Sequence, residues 1–184
     1  LTLKFELGLF EDHRGPQPDV IDAVIGCDEH ATLNLEVARR SLVLLQNDGT
    51  LPLPADEPKT VAVIGPLTDD AQQQLGDWAG GSGQAAGWIS EQPRDMITTV
   101  LDGLRQQAPD DWTITHARGA DIVEARSYPS FEIIPCEPDE ELIAEAVAQA
   151  EASDHVVAVV GDRLELVGEG HSTATLELIG GQLE

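Results

Sequence analysis

Five apolar residues in a row, Val156 to Val160, four of them valine, run straight into Gly161. The run is far short of the roughly 18 residues a membrane helix needs. Its β-branched content suits a strand. An apolar strand with no polar alternation reads as one buried on both faces, the kind found inside a parallel sheet. This narrows the chain to α/β architectures. In such sheets ligands collect beyond the carboxyl ends of the strands, so chemistry is expected just past Gly161. Three carboxylates follow there, Asp162, Glu165 and Glu169. Glu169 stands between Gly168 and Gly170, where the backbone can come close to a ligand. Asp162 reads as a strand-end cap.

The remaining pattern supplies partners for that strand. Val61 to Ile64, closed by Gly65-Pro66, is a second short apolar run. Residues 69–75 read as a short helix. Residues 97–108 read as an amphipathic helix with Val100, Leu101 and Leu104 on one face. Residues 112–117 alternate as a strand, and residues 118–136 read as irregular. Pro138 opens a helix with acids in its first turn and a stripe of Leu142, Ile143, Ala146, Val147 and Ala150. Strands alternating with helices predict a mainly parallel sheet with flanking helices. Upstream, residues 28–41 read as a helix capped by Asp28, with Ala31, Leu35, Ala38 and Leu42 at helical spacing. Asn47-Asp48-Gly49-Thr50, flanked by apolar runs, predicts a hairpin, with Pro52 and Pro54 keeping its second arm at an edge. Residues 16–18 (PQP) read as a tether between domains. Both ends of the chain read as cut, so the expected α/β domain is a truncated one.

Charge and composition exclude several functions. A net charge of −24 repels phosphate backbones, so nucleic acid is not an expected partner. No apolar stretch approaches a membrane span. Residues 1–15 lack the basic and apolar regions of a signal peptide, and a cytoplasmic location is favoured. Cys27 and Cys136 show no metal spacing and read as free thiols. The glycine-rich residues 76–87 lack the GK[ST] ending of a phosphate loop. Asp69, Asp70 and Asp77 have no metal-ligand pattern, and no cofactor is implied. Trp78 and Trp88 flank the glycine-rich loop, and an aromatic ring suits the apolar face of a sugar. The plainer reading is that they pack beneath the loop. His171, beside Glu169, could contact a sugar hydroxyl, although a histidine in a polar loop often has no role.

Five stretches, in order, carry a resemblance: LKFELGLFED (3–12), ARRSLVLLQNDGTLPL (38–53), TVAVIGP (60–66), TTVLDGL (98–104) and VVGDRLELVGEGHSTATLELIGGQ (159–182). Together they resemble glycoside hydrolase family 3, the β-glucosidase/β-xylosidase group. The resemblance implies that residues 1–27 leave a catalytic barrel and form a linker. Residues 28–184 would then be the first part of a C-terminal α/β sandwich domain. It implies a retaining, exo-acting β-glycosidase acting on a carbohydrate substrate through two carboxyl groups. The nucleophile would be an aspartate on an N-terminal (β/α)8 barrel that is not in this sequence. The acid/base would be Glu169, with Glu165 the second choice. No arginine follows in HSTATLEL, so substrate contacts built on one in the family do not carry over.

The residues agree with this on chemical grounds. A general acid must be protonated near neutral pH and later act as a base, which calls for enclosure or a second carboxylate. Retaining enzymes hold the pair about 5 to 5.5 Å apart. One carboxylate lies in this chain and the other would come with the barrel, so the fragment alone is expected to be inactive. The alternative is a stand-alone carbohydrate-binding or interaction module that uses Trp78 and Trp88.

Overall fold

The computed structural model describes residues 1–11, 15, 17–76, 93–124, 132–166 and 173–184. The chain divides into two compact units, Leu1–Leu53 and Pro54–Glu184.

The second unit is built on β1 (Thr60–Ile64), whose Val61, Ala62 and Val63 are all 0% exposed. Two parallel strands flank it, β2 (Thr113–Ala117) and β3 (His155–Ala158), in the order β2-β1-β3. Val61 is level with Ile114 and His155, and Val63 with His116 and Val157. Among the described residues three α-helices lie between the strands: α4 (Ala71–Gln74), α5 (Val100–Gln107) and α6 (Glu140–Glu151). The first unit holds α1 (Thr2–Glu6), α2 (Pro18–Val24) and α3 (Asp28–Ser41). The chain passes from β1 to its neighbour β2 through α5, then returns past β1 to β3 through α6. Two right-handed crossovers in opposite directions put their helices on opposite faces of a sheet. The architecture is thus a parallel α/β sheet with flanking helices, as the alternation predicts.

Side-chain periodicity explains the core. Val61 and Val63 point one way and pack with Leu101 of α5, joined by Leu104, Trp112, Ile114, Val157 and Val159. A second cluster, Ile122, Val123 and Leu166 with Leu67, Ile133 and Ile179, lies beyond the strand ends. Lys59 is buried at the head of β1, with its ammonium 2.7 Å from Glu57 and 6.0 Å from the Trp112 ring.

Helix ends follow side-chain chemistry. The Thr99 hydroxyl accepts from Asp102 N, and the Asp102 carboxylate accepts from Thr99 N, each at 3.2 Å, a reciprocal cap on α5. Asp139 accepts from Glu141 N at 2.9 Å and Leu142 N at 3.1 Å to start α6. Along α6, Ala146 is buried, whereas Val147, read as part of the stripe, is exposed.

The structure corrects the reading of Val156–Val160. The strand is β3, at the border of the sheet, and its residues alternate between half-buried and exposed. Val156 is 46% and Val160 44% exposed. The reason is topological. The α6 helix packs chiefly over β2 and β1, which leaves Val156 and Val160 on the outward face of β3 exposed. The strand buried on both faces is β1.

In the first unit, α1 and α2 form within residues 1–27, the stretch read as a barrel exit and tether. Pro18 opens α2, a position where its missing N–H costs nothing. α3 matches the predicted helix, but Asp28 is its first residue rather than its cap, and Cys27 precedes it without a side-chain bond. None of its residues is buried within the unit.

The predicted hairpin is not formed. A turn exists at residues 47–50, but no strand flanks it. Asn47 makes that turn itself: Oδ1 accepts from Gly49 N and Leu51 N at 3.1 Å each, and Nδ2 donates to Leu51 O at 2.8 Å. Asp48 accepts from Thr50 N and Oγ1. Side chains therefore take the bonds that a strand ladder would use. Pro52 and Pro54 have no N–H to offer such a ladder.

Candidate active-site edge

A sheet of order β2-β1-β3 changes direction between β1 and β3, because β1 connects to one side and β3 is reached from the other. The crevice outside the carboxyl ends of two such strands is where α/β proteins bind ligands. Two segments meet there: the turn from Gly65 into α4, and residues 161–166 following β3.

Gly65 lets the two strands close up. Its φ is +116°, and a Cβ placed there would lie 2.3 Å from Val159 O. Behind it, Val159 N donates to Ile64 O at 2.8 Å, and Gly65 N donates to Ala117 O at 3.2 Å. The turn is then tied down. Buried Thr68 donates its hydroxyl to Gly65 O at 2.7 Å, and Thr68 O accepts from Leu101 N at 3.1 Å. Asp69 accepts from Thr99 Oγ1 at 2.9 Å and from Arg94 Nη2 at 2.7 Å. Arg94 also reaches Asp102 at 2.8 Å, and the guanidinium holds the Asp102 carboxyl below the usual carboxylate range. Asp70 caps α4 by accepting from Gln73 N at 3.2 Å.

Residues 161–166 are fixed at successive points although only Leu164–Leu166 are helical, as a single 3-10 turn. The Gln182 amide brackets Gly161, accepting from its N at 2.9 Å and donating to its O at 3.0 Å. The Gln73 side chain crosses from α4: Oε1 accepts from Leu164 N at 2.6 Å, and Nε2 lies 3.5 Å from Glu165 Oε2. Arg163 donates to both Glu165 oxygens, Nη2 to Oε1 at 2.9 Å and Nε to Oε2 at 3.2 Å. Leu166, 5% exposed, sinks into the cluster with Ile122 and Val123.

The structure places Asp162 and Glu165 at this edge. Glu169, His171, Trp78 and Trp88 lie outside the described residues. Asp69 and Asp70 serve as an ion-pair partner and a helix cap. Cys27 and Cys136 are free thiols, and burial pushes the Cys136 thiol up. Among the described residues no group of His, Cys, Asp and Glu is arranged to hold a metal ion, and no helix is long and apolar enough to cross a membrane. Gln73 and Gln182 escaped the sequence reading, since a glutamine whose partners lie 91 and 21 residues away leaves no local pattern.

Comparison with known proteins gives this edge a context. Residues 42–184 match the model of the glycosyl hydrolase family 3 C-terminal domain. A β-xylosidase of Formosa agariphila is 35% identical over all of this chain, and a periplasmic β-glucosidase of Salmonella typhimurium is 34% identical over 97% of it. The chain spans 23% of the length of each. Among solved structures, a β-glucosidase involved in saponin metabolism from intestinal bacteria is 52% identical with a TM-score of 0.88, covering 98% of this chain and 25% of that one. A Listeria innocua β-glucosidase in complex with isofagomine is 26% identical with a TM-score of 0.69, covering 98% of this chain and 21% of its own. Matched along most of its length by the family's model and along all of it by a named relative, the chain belongs to glycoside hydrolase family 3 and carries sequence of its C-terminal domain.

Proposed function

We propose that this chain supplies the proton donor of a retaining, exo-acting β-glycosidase, similar to a β-glucosidase, that removes terminal β-linked sugars. Glu169 is the acid/base. The nucleophile is an aspartate on a (β/α)8 barrel elsewhere in the parent protein. Residues 1–27 lead out of that barrel, and residues 28–184 begin the α/β sandwich domain. The observation that carries this reading is the bracing of residues 161–166 at the switch point between β1 and β3. Two residues separate Leu166 from Glu169, so three chain steps span at most about 11 Å. A general acid must be held close to its productive position, so a firmly anchored stem suits the role.

In the first step Glu169, as a neutral acid, gives its proton to the glycosidic oxygen while the aspartate attacks the anomeric carbon. The C–O bond breaks and a glycosyl-enzyme forms. In the second step the Glu169 carboxylate takes a proton from water as its oxygen attacks the same carbon, the bond to the aspartate breaks to free that carboxylate, and the sugar leaves with its configuration retained. Glu165 suits this role less well, since Arg163 and Gln73 already engage both of its oxygens. Trp78 and Trp88 are proposed to stack on the sugar, and His171 to meet a hydroxyl. The relatives named β-glucosidase and β-xylosidase support glucosides or xylosides as substrates.

The test is Glu169→Gln in the full-length parent. Hydrolysis of a methyl β-glucoside, whose leaving group needs the proton, should fall by about 100-fold or more. A dinitrophenyl β-glucoside leaves without help, and its glycosylation should suffer far less. Equal losses on the two substrates, or none, refute the assignment. The isolated chain should hydrolyse neither, and turnover by it alone refutes the dependence on the barrel.

A further inference from the structure

We infer that the outward stripe of β3, made of Val156, Ala158 and Val160, is the seat of an α-helix formed by the sequence that follows Glu184 in the parent protein. That helix lies beside α6, on the same face of the sheet. The inference needs a parent longer than this chain, as are the relatives of which the chain spans 23%. It does not depend on which residue is the acid/base.

Register defines the stripe. Val156 is level with Ala62, and Ala158 with Ile64, so their side chains share a face. On the opposite face Val61, Val63 and Val157 pack with Leu101 of α5. The stripe is therefore on the side of α6, which packs chiefly over β2 and β1. On this side Ala62 of the central strand is 0% exposed, whereas one strand over Val156 is 46% and Val160 44% exposed. On α6 itself Ala146 is buried, and Val147 is 49% exposed. Cover thus stops between β1 and β3, and what it leaves bare is apolar.

Handedness says which element belongs there. The step from β2 across β1 to β3 carries α6 on this face. A further right-handed step in the same direction carries its helix on this face too, one strand further on. A starting turn for such a helix is in place, the 3-10 turn Gly180–Leu183. Gly181 N donates to Asp121 O at 3.0 Å, and a Cβ on Gly181 would meet Pro138 Cα at 3.2 Å. Pro138 directly precedes Asp139, the residue that caps α6. The turn therefore stands beside the start of α6, and its Gln182 amide holds Gly161, just past β3, at 2.9 and 3.0 Å. A helix leaving this turn runs down the sheet alongside α6 and over β3. Residues 155–160 rise by about 17 Å. About 12 helical residues span that distance, and α6 has 12.

Photo-crosslinking in the full-length parent identifies the occupant. Val160→p-benzoylphenylalanine and Val147→p-benzoylphenylalanine are made separately, irradiated and digested, and mass spectrometry locates the attached peptide. Both should attach to one segment within about 25 residues after Glu184. Attachment to sequence ahead of Leu1, or to another copy, names a different occupant, and no attachment means a bare face. Each of these results overturns the inference. The unsubstituted parent gives a second reading that no variant can spoil. Hydroxyl-radical labelling of Val156 and Val160 is compared between the folded and the unfolded parent. Side chains left 46% and 44% exposed should label about twofold less on folding, and side chains under a helix about tenfold less or lower still. A twofold drop refutes the seat. Neither measurement involves Glu169, so the acid/base reading and this inference stand or fall separately.

Discussion

Gly65→Ala should be among the most damaging single-atom additions this sheet can receive. The glycine has φ +116°, outside the range that an L-residue takes comfortably. An alanine Cβ would stand 2.3 Å from Val159 O, 2.9 Å from Val159 C and 3.0 Å from Val159 N, all backbone atoms that no side-chain rotation can clear. Relief requires β3 to move off β1. That breaks the Val159 N to Ile64 O bond of 2.8 Å and loosens Val157 and Val159 against Val61, Val63 and Leu101. The backbone conformation costs about 1–2 kcal/mol. The broken hydrogen bond adds about 1 kcal/mol, and partial loss of packing adds about 1–2 kcal/mol. The sum is about 3–5 kcal/mol, at the diagnostic end of point-mutant effects. Gly103→Ala is the control. It lies inside α5, and its Cβ would meet only Thr98 Cγ2 at 3.9 Å, an ordinary contact. That change should stabilise by about 0.5–1 kcal/mol through helix propensity. Urea unfolding of the chain, followed by far-UV circular dichroism, compares the two. If Gly65→Ala lies within about 1 kcal/mol of the parent sequence, the close approach of β1 and β3 does not exist as described.

Thr99 is 2% exposed and bonded both to Asp102 N and to Asp69, so Thr99→Ala should cost about 1–2 kcal/mol in the same assay, with Thr99→Ser recovering most of it. Asp102 predicts an acid-sensitive contribution. Its hydrogen bond from Arg94 is the main cause of its lowered value in the folded state. Stability from this source is full above the unfolded carboxylate value of about 3.9 and is lost as pH falls through the lower folded one. Asp102→Asn should therefore flatten that acid limb in a urea series from pH 6 to pH 2, and an unchanged limb would remove the pair from the account.

Much of the sheet was legible because its elements are local. The spacing of Val100, Leu101 and Leu104 announces α5, Pro138 and the acids after it announce α6, and alternation announces β2, although the helices begin at Val100 and Glu140, two or three residues later than read. What sequence could not convey was neighbourhood. Val61–Ile64 and Val156–Val160 are equally apolar, yet one sits in the middle of the sheet and the other on its border. Strand order comes from the direction of each crossover, which no residue encodes alone. The hairpin failed for a related reason. Asn47-Asp48-Gly49 specifies a turn well, but a ladder also needs a buried face, and Leu42 to Leu45 have none within their unit. At the candidate site, strand-end logic pointed to the segment just past Gly161, where Asp162 and Glu165 stand. Its fastening by Gln73 and Gln182 could not, since each depends on a partner brought close only by folding.

With Val156, Ala158 and Val160 uncovered, every separate copy of this chain offers a short adhesive margin to any other. A charge of −24 on each copy opposes such a meeting. Dissolved salt shortens the reach of that repulsion from about 30 Å at 0.01 M to about 8 Å at 0.15 M. Dilute buffer should keep the solution clear, while brine should bring on clumping, first at this margin.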